Sequence, residues 1–222
     1  MKILNVEFRL IAPLQYYSTQ SAGGMRTAPF IGDIALTYSM AHSMGIMNYP
    51  PADRFKPNYN EITDLPFLFT VAVPESLLKY GEWTAEYMKQ MTRNTMLGID
   101  YNGTNMYPGY RVGSNMYKNF YFVQMMKPSS DYIFKAGLIL KDDDFSQFPS
   151  ALRVGNSKTG ILSLSYRESS PDPNYYINRY TVENIYGKKI PRMDFETVYH
   201  PVHQYQILGP ATEENVLSIF RT

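Results

Sequence analysis

Three histidines, a run of aspartates and one glycine-flanked polar phrase are where this chain could do chemistry. His200 and His203 stand three residues apart, and on a strand such positions face opposite ways, which makes a poor shared metal site. His42 lies in a segment rich in Ala and Met. As a general base it needs a partner, and the sequence marks none. Asp142, Asp143 and Asp144 lack the alternating carboxylates, glycine and late glutamate of a calcium loop and read as a solvated acidic turn. No nucleophile elbow, phosphate-binding loop or dinucleotide fingerprint occurs. With no cysteine in 222 residues, thiolate chemistry and Cys-built zinc sites are excluded. The phrase Ala151 to Gly160 (ALRVGNSKTG) is more informative. It sets Arg153 and Lys158 around Gly155 and Asn156, so backbone N–H groups and two cations could cradle phosphates; a plain hairpin turn fits it as well.

Aromatic residues are the second resource. The chain has 20 Tyr and 12 Phe against one Trp. Tyrosine offers a ring for stacking unpaired bases and a hydroxyl for hydrogen bonding, although its strand propensity explains many positions equally well. Net charge is only +1, so bulk electrostatics do not attract nucleic acid; the stretch from Arg153 to Arg192 carries a local excess of cations. Glu7 and Arg9 interrupt what a signal peptide would need, and no run nears the roughly 20 apolar residues of a membrane helix. A soluble cytoplasmic protein without metal or cofactor is expected.

Periodicity supplies the elements that must position these groups. Leu4, Val6, Phe8 and Leu10 alternate with polar residues and predict a strand over 2–11. Residues 15–27 read as a polar loop, 31–44 as a helix stopped by Gly45, and 48–66 as a loop. A strand is expected over 67–73, a short helix over 85–91 and a protrusion over 98–113. A strand pair follows over 119–126 and 132–140, with a helical turn over 142–148 and a strand over 161–166. A last strand-like stretch covers 202–208, and a helix start falls at Thr212. The order fits one α+β domain over 1–222 with an insertion at about 92–118, an antiparallel ferredoxin-like or RRM-like sheet with helices on one face.

Several phrases in this order resemble type I-D members of the Cas-five family (Csc-one type) of CRISPR Cascade subunits. They are Phe30 to Ser39 (FIGDIALTYS), Thr92 to Gly98, the turn Lys127 to Phe134 and the phrase Leu152 to Gly160. Asn156 stands where the family has a lysine, which shifts a phosphate contact to Lys158. The resemblance implies a RAMP-like fold with a thumb-like β insertion and no catalytic residues. It implies a grip on the 5′ handle of the crRNA, and as neighbours a Cas-seven-type backbone subunit and a Cas-ten-type large subunit, with target DNA near the flanking motif as a further contact. The expected RNA contacts are Tyr16, Tyr17, Ser18, Arg26, Tyr38, Arg153, Gly155, Asn156 and Lys158, with Arg93, Asn94, Tyr107 and Arg111 on the protrusion. Two rivals remain: a metal-independent repeat endoribonuclease using His42, and a structural protein without nucleic acid.

Overall fold

The computed structural model describes residues 1–14, 18–21, 24–28, 30–47, 59–75, 90–94, 122–126, 128, 133–141, 147–155, 160–168, 174–190, 195–202 and 205–221. In chain order these form β1 (Lys2–Ala12), β2 (Ser18–Ser21), β3 (Gly24–Thr27), α1 (Asp33–Ser43), a 3-10 turn (Tyr59–Asp64), β4 (Phe67–Phe69), β5 (Val73–Pro74) and β6 (Gln90–Asn94). Then come β7 (Phe122–Met126), β8 (Ile133–Leu140), β9 (Ala151–Val154), β10 (Gly160–Arg167) and β11 (Tyr175–Asn178). A π-helical turn (Thr181–Ile185), β12 (Thr197–Val202), β13 (Tyr205–Ala211) and α2 (Glu213–Arg221) complete the described chain.

The main sheet runs β4-β8-β1-β10-β9, antiparallel throughout, with β5 also on β8. As the alternation expects, Leu4, Val6, Phe8 and Leu10 are buried on one face, where Phe8 lies 5.7 Å from Phe69. The sheet curls, so its two edge strands, β4 and β9, both flank α1. The helix satisfies a backbone group on each. The Phe69 N–H donates to Thr37 Oγ1 at 3.1 Å, and Ser39 Oγ donates to the Arg153 carbonyl at 2.6 Å. Two residues apart on a helix, Thr37 and Ser39 point to nearly opposite sides, as a helix seated between two edges requires. Ile34, Leu36, Thr37, Met40 and Ala41 are its buried side, while Tyr38, Ser39 and His42 are only partly buried.

The other face of the sheet is covered at one end only. Ile3, Leu68 and Ile139 there are buried, beneath a second sheet ordered β11-β13-β12 and beneath α2. Tyr175 seals the junction: its ring would meet any Cβ at Gly137, and its hydroxyl donates to Asn5 Oδ1 at 2.9 Å. Helices therefore pack on both faces, which corrects the expectation of one. A third sheet, β2-β3-β7-β6, attaches beyond the end of β1, where Leu14 and Met126 exchange backbone hydrogen bonds.

Other expectations need correction as well. The polar stretch 15–27 contains a pair of strands, β2 antiparallel to β3, rather than loop throughout; it shows no apolar alternation from which strands could be read. The strands over 119–126 and 132–140 exist but do not pair with each other; β7 joins the third sheet and β8 the first. Gln90 and Met91 belong to strand β6 rather than a helix, and a 3-10 turn occupies part of the loop expected over 48–66. The strand over 67–73 is broken at Thr70, whose N–H and hydroxyl both bind Gly137, after which Val71 turns to Tyr176 and Ala72 to Ile31. One terminal strand is in fact two, β12 and β13, and β11 was not foreseen. The protrusion over 98–113 and most of the 142–148 turn lie outside the described residues, and β6 and β7 pair immediately before and after residues 95–121.

Candidate functional site

Where β9 meets the C-terminal half of α1, the surface sinks into a groove of about 470 Å³. Tyr38, Ser39 and His42 line it from the helix, Met47 from the chain just past it, and Arg153, Val154 and Gly155 from β9 and its end. Tyr38 and His42 are four residues apart and so share a helix face. Tyr59 extends the aromatic wall, its ring 6.5 Å from that of Tyr38. The Arg153 carbonyl is held by Ser39, while its side chain is exposed. Gly155 turns the chain out of β9 with φ at +88°, the left-handed region that glycine enters without strain. A ring and a glycine-hinged backbone thus border one recess, with the Arg153 carbonyl on its wall and the Arg153 side chain exposed at its rim. Such a set can stack a flat heterocycle and neutralise an anion beside it.

Three of the expected RNA contacts, Tyr38, Arg153 and Gly155, are therefore brought together. Ser18 lies on β2 and Arg26 on β3, while Arg93 and Asn94 lie on β6. These strands belong to one sheet, in which β3 and β6 pair with opposite sides of β7. That sheet joins the first near the groove's end: Leu14, bridged to Met126, packs against Gly160, the first residue of β10. Tyr16, Tyr17, Tyr107, Arg111, Asn156 and Lys158 lie outside the described residues. Sequence reasoning missed Ser39. Its side-chain type carried no signal, because its role depends on an edge strand far away in the chain.

Many tyrosines serve packing instead. Tyr175 and Tyr176 are buried; Tyr166 and Tyr186 donate to the carbonyls of Pro149 and Ile62 at 2.7 and 3.1 Å. Burial raises all four hydroxyl pKa values, Tyr175 to about 12, so these phenols stay neutral donors. Among the described residues no cluster of His, Cys, Asp or Glu could hold a metal ion, and no helix is long and apolar enough to cross a membrane.

Fold and groove define a strand-rich α/β protein with a recess of mixed polar and apolar lining between a helix and a sheet edge. The family model described as "Type I-D CRISPR-associated protein Cas5/Csc1" matches residues 1–206, and the chain belongs to that family. It is accordingly a subunit of a CRISPR effector complex. No curated protein matches the chain. Among solved structures, a chain of the Type III-B Cmr-beta complex bound to cognate target RNA and AMPPnP aligns with a TM-score of 0.41 at 8% identity, covering 98% of this chain and 88% of that one. A chain of the same complex bound to cognate target RNA aligns at 0.38 and 9% identity over the same shares. Similarity of this order bears on neither ligand nor partner.

Proposed function

We propose that the groove between α1 and β9 holds unpaired nucleotides of the crRNA 5′ handle, and that the subunit is a non-catalytic clamp between a Cas-seven-type backbone and a Cas-ten-type large subunit. One observation carries the reading: residues 38, 153 and 155, distant in sequence, line a single groove. Tyr38 would stack a base, Arg153 a phosphate's charge, and the backbone at Gly155 a close phosphate oxygen. The order β4-β8-β1-β10, with α1 between β1 and β4, supports reading the sheet as ferredoxin-like. Its second crossover then carries β9 where that fold has a helix. Family membership leaves a structural protein without nucleic acid unsupported.

The test is crRNA retention by the complex assembled with Tyr38→Ala or Arg153→Ala. Removing the guanidinium leaves the Ser39 hydrogen bond, which is made by the Arg153 carbonyl, in place. Loss of one stacked base costs about 1–3 kcal/mol, so handle protection from nuclease should weaken roughly five- to 150-fold. Unchanged protection in both variants defeats the reading. A second reading has its own support, since His42 faces the same groove as Tyr38. Repeat-RNA cleavage in EDTA that disappears in His42→Ala would install that one.

A further inference from the structure

The groove between α1 and β9 keeps its one guanidinium at the rim, and among the described residues no carboxylate lines it. Ala35 on the helix, Val154 on β9 and Met47 supply its apolar lining. Met47 is brought there by a reversal of the chain. Gly45, at φ +68°, ends α1, and the N–H groups of Ile46 and Met47 both donate to the Ala41 carbonyl, at 3.0 and 3.3 Å. Ser39 uses its hydroxyl on the Arg153 carbonyl. His42 and Ser43, partly buried and exposed in the last turn of the helix, are the remaining polar side chains that line the groove beside Tyr38.

We propose that this groove reads the identity of one unpaired nucleobase of the handle, with His42 and Ser43 as the residues that select it. The inference rests on the handle-binding reading and adds specificity to it. A groove built for phosphates alone would set its cations inside. Here the apolar lining suits the face of a base, and the arginine at the rim suits the phosphate beside it. Tyr38 and His42 stand about one turn apart, roughly 6 Å along the axis at about 1.5 Å per residue. A hydrogen bond of about 3 Å from His42 leaves about 3 Å between the centre of a ring stacked on Tyr38 and its edge, the half-width of a nucleobase. An imidazole and a hydroxyl can each donate and accept, as matching the edge of a base requires. At about 470 Å³ the groove lies in the lower part of the range of small-molecule sites, about 300–1,000 Å³, so it suits one nucleoside rather than a stacked run.

The test assembles the complex with the full chain and guide RNAs randomised at one handle position at a time, then sequences the RNA retained. Wild type is expected to favour one base about tenfold at the position held in the groove, because the wrong base leaves a polar group unpaired. His42→Ala should reduce that preference to about twofold or less and leave the preferences at other positions as they were. Ser43→Ala should weaken the preference at the same position. His42→Gln, which keeps a donor and an acceptor, should retain part of it. Preferences unchanged at every position in both alanine variants overturn the proposal. So does retention that falls by one factor for all handle sequences, since that marks a role in the shape of α1 rather than in selection. Tyr38→Ala and Arg153→Ala are scored in the same assay for total retention. Full retention in both defeats the handle-binding reading, whereas reduced retention there with intact preferences in His42→Ala and Ser43→Ala defeats this inference alone.

Discussion

Asp33 offers the most quantitative test of the fold. It opens α1, is 2% exposed, and accepts a hydrogen bond from Asn178 Nδ2 at 3.3 Å. Thr181 lies close enough to favour its charge, yet Thr181 Oγ1 is buried without a hydrogen bond of normal geometry. Desolvation outweighs these contacts and raises the carboxyl pKa from 3.8 to about 6. A raised pKa means that the native state holds the proton more tightly than the unfolded chain. The group's stabilising contribution is then complete below pH 3.8 and is lost as pH rises through about 6. At about 1.4 kcal/mol per pH unit, that gap makes the ionised form cost roughly 3 kcal/mol at neutral pH. Asp33→Asn keeps an acceptor for Asn178 and adds a donor for Thr181, and it removes the charge. Urea denaturation of both proteins from pH 4 to pH 8 checks this. The variant should be the more stable by roughly 3 kcal/mol at pH 8, and the difference should shrink toward zero near pH 4. A pH-independent difference, or a wild type that gains on the variant as pH rises, refutes the argument, for it would mean that hydrogen bonds and the helix N-terminus outweigh burial.

Thr37→Val removes the hydroxyl that accepts from the buried edge-strand N–H of Phe69 and should cost about 1–3 kcal/mol by denaturation. Ser39→Ala frees a carbonyl at the exposed groove rim and should cost about 1 kcal/mol or less. Gly160→Ala would press a Cβ onto the Leu14 side chain and the Val154 carbonyl, and should lower stability by about 1–3 kcal/mol in the same assay. For RNA, Arg153→Ala should reduce the slope of log affinity against log salt by about 0.7 in a filter-binding titration with the handle oligonucleotide, the signature of one lost phosphate contact.

Legibility followed the range of the signal. β1, β10 and α1 were readable because alternation and helical spacing are local, and each presents one buried side to a neighbour; β8 is an apolar run buried on both faces over its last five residues. The strand pair β2–β3 was not readable, since Ser18 to Ser21 has no apolar alternation and its strand state comes from pairing with β3. The break at Thr70 was equally hidden, because it depends on Gly137, Tyr176 and Ile31, none of them near in sequence. Within the groove, the common face of Tyr38 and His42 follows from their spacing. The arrival of Arg153 and Gly155 at that face does not, because it requires the sheet to curl until its last strand reaches the helix.

That curl ties the groove to the stability of the domain. An open sheet would leave the outer backbone groups of β4 and β9 to solvent or to other chains. Here α1 stands between the two edges, and Thr37 on one side and Ser39 on the other supply hydrogen bonds that a neighbouring strand would have made. The two bonds differ in consequence. The one at Phe69 lies in the core and holds the helix to the sheet; the one at Arg153 lies at the rim and sets where the Arg153 side chain emerges. Thr37→Val and Ser39→Ala therefore separate the two roles. The first should lower stability and leave ligand geometry in the surviving folded protein intact. The second should leave stability nearly unchanged and loosen the guanidinium's position. If Ser39→Ala weakens handle binding as much as Arg153→Ala does, the bond from α1 to β9 is what gives the groove its shape.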